Sequence, residues 1–309
     1  MFVVSRVAAQ GTRPRILWLS LIPPAGRAGG LVPFLEGMAA QGYGVGAFDL
    51  DECWGDNSRE TLERRALEAL ARKPNIVVSQ GPALQVARTL PTALPVVFGT
   101  SGDPIEMGIT TTLARPGGNL TGVTFLSYAL VGKRIELLHE IAPSAKRLAV
   151  LSNPDHGGDP KELVATQEAA AGLGFKISHF PVRNAPELEN ALAAMNTARA
   201  EALVVHPDAL MIEQRSAIAR FSLERRVPAI SGWAALAEAG SLMTYGPNLQ
   251  ACYRRLAYFV DRIVRGAKPA ELPIELPNTV ELVVNLKSAQ ALGITVPPSI
   301  LLRADRVIV

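Results

Sequence analysis

The side chains of this chain that could do chemistry collect in short clusters, each directly after an apolar run. These are Ser20-Leu21-Ile22-Pro23, Asp49-Leu50-Asp51, Ser79-Gln80-Gly81-Pro82, Gly99-Thr100-Ser101-Gly102-Asp103, Ser152-Asn153-Pro154, His206-Pro207-Asp208 and Ser231-Gly232-Trp233. Hydroxyls and the unpaired N–H groups of a following helix can receive a carboxylate, and an acid can receive an ammonium, so the pattern suits capture of an anion or a zwitterion. Asp208 fits two roles, an ammonium partner or the N-cap of the segment after it. His206, two residues earlier, fits ligand contact or acid–base work. Trp233, Tyr245 and Phe125 could wall an apolar pocket or close the edge of a core.

The apparatus of catalysis is thin. No G-x-x-x-x-G-K-[ST] phosphate loop occurs, and Gly42-Tyr43-Gly44-Val45-Gly46 precedes a strand where a dinucleotide fingerprint must follow one, so it reads as a helix C-cap and turn. Gly99-Thr100-Ser101-Gly102 misses the G-x-S-x-G elbow because Asp103 stands at its last glycine, leaving Ser101 as a hydrogen-bonding wall residue. His139, His156, His179 and His206 are scattered, with His139 in a predicted helix and His179 in a predicted strand, so no metal site and no cofactor are expected. Cys53 and Cys252 form neither a disulfide framework nor a zinc set. A two-thiol proton-shuttling enzyme would need both at one cleft.

The elements that must position these clusters are legible in the periodicity. Strand-length apolar runs at 16–20, 44–49, 76–79, 96–99, 121–125, 147–152, 176–180, 202–205, 229–231, 242–245 and 281–285 alternate with amphipathic stretches. The latter, of helix length, fall at 30–41, 58–72, 82–89, 128–141, 160–172, 186–199, 210–225, 234–239, 248–265 and 286–292. That alternation predicts parallel sheets covered by helices on both faces, with ligands bound outside the carboxyl ends of the strands. One unit closes near residue 110 and a second starts near residue 128. The 309 residues, 48% hydrophobic and 19% charged, are enough for two domains and exclude disorder. A net charge of +3 with no basic run speaks against nucleic acid as a partner. No stretch is apolar enough for a membrane span. Residues 1–10, ending Val7-Ala8-Ala9-Gln10, read as the stump of a signal peptide that lacks its basic start and apolar core, or as a frayed tail.

The ordered series Gly102-Asp103-Pro104, Arg115-Pro116-Gly117-Gly118-Asn119-Leu120-Thr121-Gly122-Val123-Thr124 and Gly240-Ser241-Leu242-Met243-Thr244-Tyr245-Gly246 carries a family likeness. It continues with Gly266-Ala267-Lys268-Pro269-Ala270, Leu282-Val283-Val284-Asn285-Leu286-Lys287 and Leu292-Gly293-Ile294-Thr295-Val296-Pro297-Pro298. From about residue 15 to the end the chain resembles the ABC-transporter substrate-binding proteins of the tryptophan/tyrosine type. The resemblance implies a type I periplasmic binding protein-like α/β fold, with two doubly wound parallel-sheet lobes joined by three crossovers. One lobe would be residues 1–124 with 246–275 and the other 125–245, with 276–309 returning across the hinge. It implies a monomer that serves an ABC permease in the periplasm, closes on a small molecule such as an amino acid or an aromatic carboxylate, and has no enzymatic activity. Hinges would lie near Thr124-Phe125, Tyr245-Gly246 and residues 268–277. Carried over by position, the ligand wall would comprise Ser20, Leu21, Gly81, Pro82, Ala83, Thr100, Ser101, Asp103, Thr124, Asn153, Asp208, Trp233 and Tyr245, with His206 added from its strand-end position. Asp208 would be the acid that meets an α-ammonium. Where many members carry a triplet such as Tyr-Glu-Trp, this chain has Ser231-Gly232-Trp233. A ligand-sensing regulatory domain of the same fold is the alternative, although the segment before Arg15 is too short for a helix-turn-helix.

Overall fold

The computed structural model describes residues 13–125 and 127–309; the expected signal stump lies outside the described residues. Two sheets organise the chain. The first has the order β2-β1-β3-β4-β5, from β1 (Arg15–Ser20), β2 (Asp49–Trp54), β3 (Ile76–Gln80), β4 (Val96–Thr100) and β5 (Leu120–Thr124), and every pair is parallel. The second has the order β12-β11-β10-β9-β8-β6-β7. Its strands are β6 (Arg147–Ser152), β7 (Lys176–Pro181), β8 (Ala202–Val205), β9 (Ala229–Ser231), β10 (Met243–Pro247), β11 (Val280–Asn285) and β12 (Arg306–Ile308).

The expectation of purely parallel sheets needs one correction: β10 and β11 are antiparallel. The reason is topological. After β10 the chain leaves for the first sheet, where the helix Leu249–Val264 packs on the helix Leu31–Ala40 and on β4 and β5. It then returns from that side, and so enters β11 at the end where β10 stopped. The two helices approach closely at Gly37, where a Cβ would stand 2.4 Å from the Arg254 carbonyl oxygen. Their contact buries Phe34, Met38, Leu256 and Val260 in the core shared with Trp18.

Local chemistry sets several boundaries. Ser58 caps the helix Arg59–Leu70 by accepting from the Thr61 amide at 3.2 Å, and Asn248 caps Leu249–Val264 through the Ala251 amide at 2.8 Å. The strand expected at 44–49 lies at Asp49–Trp54 instead. It is an edge strand whose acids Asp49, Asp51 and Glu52 are neutralised by Arg15, Arg72 and Arg27, so charge masks its strand character. Its carboxyl end is therefore at Trp54, and Asp49-Leu50-Asp51 is not a strand-end cluster. The helix expected at 210–225 breaks at Gln214 into Ala209–Glu213 and Arg215–Arg225, and the short helix Pro298–Arg303 and β12 follow the last predicted element. Among the described residues no helix is long and apolar enough to cross a membrane.

Candidate functional site

A cavity of about 460 Å³ lies where the carboxyl ends of the strands of the two sheets face each other. The end of β1 supplies Ser20, Leu21 and Ile22, and the turn after β3 supplies Gln80, Gly81 and Pro82. Ser101 and Phe125 follow β4 and β5. On the opposite side stand Asp208 after β8, Trp233 after β9 and His156 from the loop after β6. Leu249, Gln250 and Tyr253, from the helix that returns to the first sheet, close the back.

Of the sequence-predicted residues, the structure thus brings together Ser20, Leu21, Gly81, Pro82, Ser101, Phe125, Asp208 and Trp233. The others sit elsewhere. Ala83 is buried in the core behind the wall, and Tyr245 packs on the second sheet's core while its carbonyl accepts from Arg134 Nε at 2.8 Å. Thr100 accepts from the Gly102 amide and Thr124 donates to the Gly102 carbonyl at 2.8 Å, so both brace the loop that carries Ser101. Asn153 donates to Asp208 Oδ1 at 3.1 Å and positions that carboxylate from behind. Asp103 faces the rim, where it pairs with Lys161 at 3.1 Å. His206 turns into the core, with Nδ1 3.0 Å from Asp159 Oδ1 and Nε2 3.0 Å from Thr166 Oγ1.

Three polar features define what the cavity can hold. Asp208, 2% exposed, uses one oxygen for the Leu210 amide at 2.9 Å and for Asn153, acting as the N-cap of Ala209–Glu213. Among the described residues its other oxygen has no partner. Among the described residues Ser20 Oγ, Gln80 Oε1 and Trp233 Nε1, all of lining residues, are buried without a hydrogen-bond partner, a state that costs about 1–3 kcal/mol per group. Ser101 Oγ is 2.5 Å from His156 Nε2, and His156 Nδ1 accepts from the Gly158 amide at 3.3 Å. The imidazole proton is therefore on Nε2 and is donated to Ser101, which leaves the serine's own proton for a ligand.

Sequence reasoning missed His156, Gln80 and Tyr253 as wall residues. Gln80 closes a strand-end cluster and was within reach of the strand-end rule. Tyr253 lies mid-helix, with nothing in its spacing to separate it from the core residues around it. Cys53 and Cys252 are both buried away from the cavity, and burial pushes their thiols up to about 11 and about 12. The two-thiol chemistry is thereby removed.

Further contacts join the two sides beside the cavity. Lys161, from the helix Asp159–Gly172, bridges Asp103 and Glu106 at 3.1 and 2.7 Å and lies 4.5 Å over the Tyr128 ring. Hydrogen bonding to Glu106, with that to Asp103, outweighs desolvation and raises the Lys161 ammonium above its ordinary value. Burial opposes the Asp103 charge, but the Ile105 amide and Lys161 outweigh it and hold the carboxyl below the usual range. Asn57 donates to Glu213 at 3.2 Å across the same gap.

Comparison with known proteins places this geometry. The family described as ABC transporter substrate binding protein matches residues 31–308. A tyrosine-binding protein of Clostridioides difficile (strain R20291) is 20% identical over 261 residues, covering 84% of this chain and 75% of that protein. An ABC domain in complex with L-Trp from Streptococcus pneumonia is 23% identical and superimposes with a TM-score of 0.88, covering 96% of this chain and 100% of that one. The ligand-free, open structure of a substrate-binding protein with adhesive properties from Clostridium difficile is 22% identical with a TM-score of 0.69, covering 96% and 99%. The fold is that of type I periplasmic binding proteins.

Proposed function

This chain belongs to the ABC transporter substrate-binding protein family, and from that premise we propose that it captures an amino acid or related small molecule in the cavity and presents it to a membrane permease. It is a binding protein and not an enzyme. The observation that carries the reading is the cavity wall, which joins an apolar surface of Phe125, Trp233, Ile22 and Leu249 to the Asp208 carboxylate and the unpartnered Ser20 hydroxyl. An amino acid with a large side chain answers all three. Its ammonium meets Asp208, its carboxylate accepts hydrogen bonds from Ser20 and Ser101, and its side chain covers the aromatic wall. The L-Trp complex and the tyrosine-binding relative support that choice of ligand class.

The working cycle in this reading is closure of two lobes. Residues up to Thr124, with the segment from the end of β10 to about 275, move as one body and the rest as the other. Bending falls at Thr124-Phe125, Tyr245-Gly246 and the proline-rich 268–277. A ligand that touches both sides at once stabilises the closed form by the difference in its contacts to the two forms. The working location is outside the cytoplasmic membrane, and the working unit is a monomer with no nucleic-acid partner. Titration calorimetry against the proteinogenic amino acids, paired with small-angle scattering, tests this. Selective binding with a fall in radius of gyration is expected, and binding without compaction would sink the closure mechanism.

A further inference from the structure

The charges on the cavity wall are unequally placed. Asp208 is the one ionisable acid that is buried there among the described residues, and no Lys, Arg or protonated ring pairs with it. The remaining charged lining residues are exposed and already engaged at the rim. Glu213 accepts from Asn57, Arg215 donates to the Ile212 carbonyl at 2.7 Å, and Glu238 pairs with Arg306 at 2.6 Å. The groups that could receive an anion are all neutral: the Ser20 hydroxyl and the Trp233 indole, both without partners, and the Ser101 hydroxyl with its free proton.

A buried anion without a countercharge and neutral donors opposite it make unequal demands on the two ends of an amino acid. The ammonium supplies the charge that Asp208 lacks in a desolvated site, whereas the carboxylate meets dipoles that water or a ligand hydroxyl could satisfy equally. A ligand with a carboxylate and no ammonium would set a second negative charge beside Asp208, and the one Lys or Arg among the described lining residues is the exposed Arg215, which donates to the Ile212 carbonyl. We propose that this site selects a primary ammonium on an aromatic or bulky apolar body and does not require the carboxylate, so that aromatic amines are ligands in their own right. This rests on the amino-acid reading above and narrows it, because it excludes aromatic carboxylates as ligands.

Titration calorimetry with two matched series tests it: L-tyrosine, tyramine and 4-hydroxyphenylacetate, and L-tryptophan, tryptamine and indole-3-acetate. Within the series that binds, the amine is expected within about tenfold of the amino acid and the acid at least about thirtyfold weaker. Asp208→Asn, which keeps an N-cap side chain, should weaken amine and amino acid by at least about thirtyfold and leave the acid unchanged or tighter. An amino acid that binds while its amine does not would overturn the proposal and leave the amino-acid reading standing. An acid that binds as tightly as its amino acid, or an amine whose affinity survives in the Asn variant, would overturn it too. Absence of binding by all six would overturn the proposal, and the amino-acid reading falls with it when no proteinogenic amino acid binds either.

Discussion

His206 and Asp208 stand two residues apart at the end of one strand, and the structure gives them opposite employment. His206 is buried in a cluster of charge: Asp159 at 3.0 Å, Glu162 at 3.8 Å and the Thr166 hydroxyl at 3.0 Å. Arg134, also fully buried, lies near enough to Glu162 to feel its charge; desolvation lowers its guanidinium to about 10 despite that neighbour. Arg134 ties Ser127 to the Tyr245 carbonyl, two points where the chain passes between the sheets, at 3.1 and 2.8 Å. Asp208 instead keeps one oxygen free on the cavity wall among the described residues. A polar side chain at a strand end is thus satisfied inside the protein or left for a ligand. The first arrangement should govern stability and the second affinity.

The largest effect that separates them is expected from His206→Ala. Removing the imidazole leaves the buried Asp159 carboxylate and Thr166 hydroxyl without that hydrogen-bond partner, at about 1–3 kcal/mol per group, so urea unfolding should show a loss of that order while the folded fraction keeps its ligand affinity within a few fold. A loss of affinity with unchanged stability would break the comparison. Asp208→Asn should do the reverse, weakening an ammonium ligand by about 2–5 kcal/mol in calorimetry while costing under about 1 kcal/mol of stability, because asparagine still caps the helix. Ser20→Ala should weaken the ligand by about 0.5–1.5 kcal/mol and leave the free protein equally or more stable, since its hydroxyl has no partner to lose.

The smallest effect is at the rim. Lys161→Met removes a half-exposed bridge between the sides, worth about 0.2–1 kcal/mol, and should accelerate ligand dissociation in stopped-flow by a few fold. Its pH dependence has a definite sign. Asp103, with a depressed carboxyl, contributes fully above about pH 4, and the contribution is lost as pH falls through its lower folded value. Lys161, with a raised ammonium, contributes fully below about pH 10, and that is lost as pH rises through its higher folded value. The difference in dissociation rate between wild type and Lys161→Met should therefore be flat from about pH 5 to 9. A slope across that window would assign the rim contact to another titrating group.

How much of this was legible beforehand differs from element to element. Strands such as Arg147–Ser152, Ala202–Val205 and Ala229–Ser231 are short continuous apolar runs because both faces of their sheet are covered, and the capping residues Ser58, Asn184 and Asn248 mark helices by their own hydrogen bonds. Asp49–Trp54 was misplaced because an edge strand tolerates charge that a central strand cannot. The strand-end rule gathered Ser20, Gly81, Ser101, Asp208 and Trp233, which depend on where a strand stops. It also gathered Thr100, Asn153 and His206, which stop at the same level and turn away.

The alternation of apolar and amphipathic segments by itself determined that this chain builds helix-covered sheets with polar groups gathered at their carboxyl ends, because burial on both faces and local caps are written in neighbouring residues. Only the tertiary structure decided which of those polar groups meet one another, since that depends on contacts between residues far apart in the chain. Asn153 reaches Asp208, His156 reaches Ser101, and Tyr253 arrives from a helix that returns to the first sheet after the second is nearly complete. Nothing in local spacing encodes those meetings; they follow from the packing of two lobes, which leaves Asp208 with a free oxygen and His206 with none of its polar atoms to spare.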